Sequence, residues 1–225
     1  MTFEALRQAF GSLDGKELVR AICAEFPGKV AVTSSFGAEA AVLLDLVAQI
    51  DPDLPVLFFD TEALFDETLS YQQQLTQSLG LRNLRVIRPA AEDLKTADEL
   101  WRRDVDQCCH LRKVLPLARV VHAFKVLLDG RKQFHGGARE KIETIEEGPE
   151  GLIKVSPLAR WREADIEAAF VERSLPRHPL VAQGYRSIGC WPCSRPTLPG
   201  EPVRAGRWAG AAKTECGIHN MKKSG

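Results

Sequence analysis

Apolar and polar positions along the chain alternate between two periods. Residues 3–26 carry apolar side chains at helical spacing, interrupted at Gly11-Ser12 and ended by Pro27-Gly28. Val30-Ala31-Val32 is a short β-rich run, followed by a helix-compatible stretch from Ala38 to Gln49. Val56 to Phe59 is a continuous apolar run of buried-strand length, and Leu64 to Leu79 reads as a helix stopped by Gly80. Leu84–Ile87, Lys125–Leu128 and Leu152–Val155 supply three further strands. Residues 106–123 predict a helix with Pro116 inside it, where a kink is expected. Strands alternating with helices at this spacing predict an α/β fold with a mostly parallel sheet. Beyond Cys190, Gly and Pro become dense, and an irregular, mobile C-terminal tail is expected.

Composition narrows the partners. Of 225 residues, 44% are hydrophobic and 27% charged, as in a water-soluble domain. Thirty Lys+Arg balance thirty Asp+Glu, so no global field draws nucleic acid or membrane, and an anionic substrate needs a locally positive site. No run approaches the length of a membrane span, and Met1 to Phe10 lacks the order of a secretory signal. The expected compartment is the cytoplasm, where clustered cysteines point to metal or catalysis rather than disulfides.

The six cysteines carry the chemistry. Cys108 and Cys109 are adjacent, Cys190 and Cys193 form a C-x-x-C, Cys216 lies near the end, and Cys23 stands apart. Two close pairs suit a metal or iron–sulfur centre. Adjacency strains a single tetrahedral ion, which favours a cuboidal [4Fe–4S] cluster, although the spacing leaves zinc open. Cys216 lies between Lys213 and His219, cations that would lower its pKa and enlarge its thiolate fraction. The run Ala209-Gly210-Ala211-Ala212 before it reads as a hinge. The turn Ser34-Ser35-Phe36-Gly37-Ala38-Glu39 joins the first strand to the next helix. Small residues there would let backbone approach a phosphate at the helix N-terminus. An ordinary turn with a serine N-cap is the competing reading. Asp60-Thr61, at the end of the second strand, could help hold a nucleoside. His178, Trp161, Trp208 and Cys23 read more simply as packing or turn residues, and His122 and Arg102-Arg103 as solvent-facing.

Taken together, these segments resemble the assimilatory adenylyl-sulfate (APS) reductases, relatives of the PAPS reductases. The landmarks are Ser34 to Glu39, Phe59-Asp60-Thr61, Cys108-Cys109-His110-Leu111-Arg112-Lys113, Ser187 to Cys193, Arg204-Ala205-Gly206-Arg207-Trp208 and Lys213 to His219. The resemblance implies an adenine-nucleotide α-hydrolase-like (PP-loop) fold. It implies a helical segment over 1–28, a reductase domain with the iron–sulfur site over 29–200 and a catalytic tail over 201–225. By the same resemblance, Cys108, Cys109, Cys190 and Cys193 hold a [4Fe–4S] cluster, and Cys216 takes sulfur from APS as an S-sulfonate and releases AMP. Ser34, Ser35 and Gly37 line the nucleotide loop, Lys113 lies between cluster and sulfate, and Lys132, Arg139, Arg204, Arg207 and His219 meet the phosphosulfate or the tail. A thioredoxin or glutaredoxin then releases sulfite. The family is often oligomeric.

The alternatives are PAPS reduction, a sulfate-activating nucleotidyl transferase, and a non-enzymatic iron–sulfur or zinc protein. Two departures from the family pattern stand out: Glu62 where Asp-Thr is commonly followed by Gly, and Lys132 with His135 in a Gly-x-Arg-x-x-Gln-x-x-x-Arg segment. His135 is expected to titrate near neutrality where Gln cannot.

Overall fold

A computed structural model describes residues 1–209 and 213–219. Two amphipathic helices open the chain, α1 (Phe3–Phe10), capped by Thr2 accepting from the Ala5 N–H at 3.2 Å, and α2 (Gly15–Glu25). They bury Leu6, Leu18, Val19 and Ile22 in the same core as the first strand. The elements then alternate as the apolar pattern requires: β1 (Val30–Ser34), α3 (Ala40–Ala48), β2 (Val56–Phe59), α4 (Asp66–Ser78) and β3 (Leu84–Ile87). Short helices α5 (Ala91–Thr96) and α6 (Leu100–Arg103) lead to α7 (Val105–Cys109), a π turn over His110–Val114 and α8 (Leu115–Val121). Next come β4 (Val126–Leu128), β5 (Ile145–Glu147), β6 (Ile153–Val155) and α9 (Glu163–Glu172).

The six strands form one sheet in the order β3-β2-β1-β4-β6-β5, parallel except for β5 against β6. Central strands β2 and β4 are buried along their whole length, which is why they read as continuous apolar runs. Strand order reverses between β1 and β4, and a crevice opens at the carboxyl ends of strands at such a switch point.

Strand β5 was not among the five expected strands. Its sequence Ile-Glu-Glu pairs only at the sheet edge, where polar residues are tolerated and hydrophobic periodicity is lost. The helix over 106–123 forms as expected, but a π turn replaces the kink. The Leu115 N–H reaches the His110 carbonyl, and Pro116, with no N–H to place, follows directly. After Cys193 the chain is irregular, as expected, yet Val203, Trp208, Glu215 and Cys216 are buried. Of the expected hinge only Ala209 is described; positions 210–212 lie outside the described residues. Among the described residues no helix is long and apolar enough to cross a membrane.

Candidate active site

The switch point holds a cleft with a cavity volume of about 170 Å³. One wall is the β1–α3 loop. Ser34 Oγ accepts from the Phe36 N–H at 3.1 Å, so the serine builds a local turn and does not cap the helix; Glu39 occupies the N-cap position without a capping side chain. Phe36 adopts a left-handed φ of 47° and is fully buried edge-on against Phe58, which fixes the loop. A Cβ on Gly37 would lie 3.2 Å from the Ile188 carbonyl, so a larger residue would push the two walls apart by a few tenths of an ångström. Ser34, Ser35, Gly37, Lys113, Lys132, Arg139, Arg204, Arg207, Cys216 and His219 all line this single cleft.

Most of its cations already have partners. Lys132 donates to Glu39 at 2.6 Å and to the Gly130 carbonyl at 2.9 Å. His135 bridges the same carboxylate, through Nε2 at 3.0 Å, to Arg139, which donates to Nδ1 at 3.1 Å. That pattern is the neutral tautomer protonated on Nε2. Burial, with Lys132 and Arg139 alongside, outweighs Glu39 and holds the imidazole below its ordinary pKa, so His135 stays neutral where titration near pH 7 was expected. Glu39 is pulled the other way: burial opposes its charge, but Lys132 and His135 win and bring it down to about 2. Arg131, absent from the expected site, is buried between Asp129 (2.9 Å) and Glu146 (2.7 Å), with Ser156 at 3.2 Å. The strand pattern ends at Leu128, so it offered no signal for this network.

The tail closes the cleft. Arg139 donates to both Glu215 carboxylate oxygens, at 2.5 and 2.8 Å. Lys154 donates to the His219 carbonyl at 2.9 Å, His219 Nδ1 stands 3.8 Å from Asp129, and Lys213 pairs with Asp106. Cys216 is thereby buried against the π turn, with the Cys109 thiol, Lys113 and His219 around it. The Cys109 contact, reinforced by the charges of Lys113 and His219, holds its thiol well below the ordinary range despite burial. Trp208 is buried under three cations, with Arg207 4.4 Å, Arg204 5.4 Å and Lys213 5.7 Å from its ring centroid.

Behind Lys113 lies a second, smaller cavity lined by Cys108, Cys109, Cys190 and Cys193, together with Trp101, Arg112, Pro192 and Arg207. The segment after β2 gathers the C-x-x-C. The Trp191 N–H donates to the Ala63 carbonyl at 2.8 Å, and Thr61 Oγ1 is 3.2 Å from Cys190 Sγ. Arg112 donates to the Thr61 carbonyl at 2.6 Å, tying that segment to the helix bearing the adjacent cysteines. Asp60-Thr61 therefore serves this second cavity and its surroundings; Asp60 pairs with Arg88, and neither residue lines the cleft. Glu62 adopts a φ of 52°, the left-handed region that explains the family's usual glycine there.

The donor set is all-thiol, the soft chemistry that an iron–sulfur or zinc centre takes. Burial pushes the Cys193 thiol up to about 11 and raises Cys108, so four thiolates here call for a cationic core. Among the described residues no group of three or more His, Cys, Asp or Glu side chains is placed to hold a metal ion.

The remaining singled-out residues behave as packing or surface groups. His178 accepts from the Leu180 N–H at 3.2 Å and meets Thr68 at 3.0 Å. Trp161 and Cys23 pack on the core. His122, Arg102 and Arg103 are exposed.

Comparison with known proteins agrees with this architecture. The family model of the phosphoadenosine phosphosulfate reductase domain matches residues 29–196. The chain is 46% identical over 216 residues to an adenosine 5′-phosphosulfate reductase of Chelativorans sp. (strain BNC1), covering 93% of this chain and 87% of that protein. It is 35% identical over 200 residues to the protein of that name from Geobacillus thermodenitrificans (strain NG80-2), covering 87% and 85%. Among solved structures, the phosphoadenylyl-sulfate (PAPS) reductase of Candida auris, a phosphate complex, superposes with a TM-score of 0.72 at 26% identity, over 84% of this chain and 94% of that one. Yeast FAD synthetase, in complex with FAD, superposes at 0.56 with 18% identity over 87% and 69%, which shows the shared PP-loop type of fold alone. With that family model matching residues 29–196 and relatives 35% and 46% identical over most of its length, the chain belongs to the phosphoadenosine phosphosulfate reductase family.

Proposed function

We propose that this protein reduces adenylyl sulfate to sulfite and AMP in assimilatory sulfate reduction and cysteine biosynthesis, with Cys216 as the sulfur acceptor and an external dithiol as reductant. The observation that carries the reading is Cys216 itself: a buried thiol closing a cleft lined by Lys113, Arg139, Arg204 and Arg207 at the switch point of a nucleotide-binding type of sheet. The β1–α3 loop with Ser34, Ser35 and Gly37 receives the nucleotide. Lys113, Arg204 and Arg207 face the phosphosulfate.

The Cys216 thiolate attacks the sulfur of APS. The new S–S bond forms as the bond from sulfur to the phosphate oxygen breaks, and AMP leaves with that electron pair. Cationic side chains balance the charge building on the leaving phosphate. A donor thiolate, of the thioredoxin or glutaredoxin type, then attacks Cys216 Sγ. Sulfite leaves with the S–S electron pair, and the donor's second thiol closes its own disulfide, returning Cys216 reduced.

In the same reading Cys108, Cys109, Cys190 and Cys193 hold a [4Fe–4S] cluster. When bound, it would supply a fixed negative charge beside the Lys113 ammonium, which lines both cavities. Cys109 would then be a ligand with no proton to give, leaving Lys113 as the cation that stabilises the Cys216 thiolate, since burial holds His219 below its ordinary pKa. The adjacent cysteines and the APS reductase relatives favour APS over PAPS. The reading takes 201–225 as the catalytic tail, appended to a reductase domain over 29–200 and a helical segment over 1–28, and it places the protein in the cytoplasm.

The test is anaerobic incubation with APS and no reductant. Cys216 should gain the mass of one sulfite while one AMP is released, and Cys216→Ser should do neither. Release of AMP by the Ser variant at the wild-type rate would refute the assignment. Iron and sulfide analysis tests the cluster, and comparing turnover of APS and PAPS tests the substrate.

A further inference from the structure

The Glu215 carboxylate is held as an oxyanion ligand would be held. Besides its two bonds from Arg139, it accepts from the Cys216 N–H at 2.8 Å and stands 3.4 Å from Arg204 Nη2, so four donors converge on one buried group. Arg139 and Arg204 both line the substrate cleft. Lys113 and Arg207 line the same cleft, with His219 beyond them 3.8 Å from Asp129. Burial and repulsion from Arg139 pull even the Arg204 guanidinium down to about 10. Glu215 supplies a single negative charge to this group of cations, whereas a phosphosulfate brings two.

We propose that Glu215 is an internal surrogate for the substrate's oxyanion. It occupies the Arg139–Arg204 subsite while the cleft is empty, and an incoming tetrahedral oxyanion displaces it. Glu215 then competes with substrate for the same donors, and its release is coupled to loading of the cleft. Two tail contacts, Lys154 to the His219 carbonyl and Lys213 to Asp106, do not involve the arginines, while Arg204 also donates to the Thr214 carbonyl at 3.1 Å. They can hold Cys216 near the cleft while the carboxylate swings aside. The inference deepens the proposed function and rests on it for the identity of the substrate, but the subsite itself is tested without turnover.

The experiment titrates the cluster-loaded protein, prepared anaerobically, with inorganic sulfate and separately with AMP by calorimetry. Wild type is compared with Glu215→Gln and Glu215→Asp. A closed form that dominates the empty protein raises the apparent Kd by the fraction competent to bind. Removing a buried charge-assisted contact should tighten sulfate binding in Glu215→Gln by about tenfold. Glu215→Asp, one methylene too short to span both guanidinia, should tighten it less, and it preserves the charge if the Gln variant fails to fold. A structural role for Glu215 predicts the opposite sign, since a disordered tail and misplaced arginines would weaken sulfate. Unchanged or weaker sulfate binding in the folded variants would overturn the proposal. Sulfate is informative even if APS proves not to be the substrate, whereas tighter sulfate without any AMP binding would fault the nucleotide reading alone.

Discussion

Substituting Glu39 by Gln tests whether the charge pairs under the cleft are what hold the β1–α3 loop. Glu39 is 17% exposed at the side chain, and its partner Lys132 is 3% exposed. An ordinary glutamate near 4.5 brought down to about 2 corresponds to roughly 3 kcal/mol of native-state stabilisation, at about 1.4 kcal/mol per pH unit. Removing the charge strands Lys132 in a buried position, a loss of the same order as measured for broken buried pairs, about 3–5 kcal/mol. In a chain of this size, about 3 kcal/mol lowers Tm by roughly 6–12 °C. Because the folded carboxyl is the stronger acid, its contribution is complete above the unfolded value of 4.5 and disappears as pH falls through about 2. Differential scanning fluorimetry at a fixed scan rate should therefore show the full deficit from pH 8 down to about 5, shrinking below that. The double variant Glu39→Gln with Lys132→Met should recover much of the loss, since it leaves no orphaned charge. A single-variant deficit below about 2 °C, or one that grows toward acid, would refute the reasoning.

Other outcomes follow from single contacts. A Cβ at Gly189 would lie 2.3 Å from Arg207 Nη2 and must push that guanidinium off the Ile188 and Cys193 carbonyls, so Gly189→Ala should weaken sulfate or AMP binding about tenfold with only a modest fall in Tm. Calorimetry and a melt on the same sample decide this, and a large fall in Tm would contradict it. Burial holds His178 down to about 4, so the native state loses stability as pH falls from 6.5 toward 4, by up to roughly 3 kcal/mol. His178→Asn should flatten that slope in melts between pH 7 and 4.5, and an unchanged slope would locate the effect elsewhere. Lys154→Met removes the donor to the His219 carbonyl, and alkylation of Cys216 by iodoacetamide should quicken at least about fivefold; equal rates would show that this contact does not hold the tail.

The central sheet was legible because burial on both faces leaves a continuous apolar run, as in Val56–Phe59 and Val126–Leu128. Edge strand Ile145–Glu147 and helix Glu163–Glu172 were not, the first because solvent tolerates its glutamates and the second because only Ile166 and Phe170 are buried. Cysteine spacing announced the two groups that line the smaller cavity, since chemistry-bearing residues keep their identity whatever element carries them. The pairing of charges was invisible. Lys132 and Glu39 are 93 positions apart and Arg139 and Glu215 are 76, and nothing local in either segment says which carboxylate meets which cation. The Asp60-Thr61 turn shows the same limit, because a strand end at the right edge of the sheet can still turn its side chains to Arg88 and Cys190 instead of the cleft.

The position of the reactive thiol follows from the two tasks the proposed chemistry gives it. Sulfur transfer from a nucleotide needs Cys216 shielded among cations, where water is excluded and charge on the leaving phosphate is balanced. Reduction by a second protein needs the same sulfur to reach a partner's thiol. A cysteine on β1 or β4 could do only the first, since those strands are fixed in the middle of the sheet. A thiol on a terminal segment, docked by a few discrete polar contacts such as Glu215 to Arg139 and Lys154 to the His219 carbonyl, can do both. Contacts of that kind each hold by a modest free energy and break one at a time, whereas an apolar plug would have to leave as a unit. Ile218 adds one apolar contact with the sheet, so the tail is docked by a single apolar side chain and several polar bonds, a surface it can leave and regain.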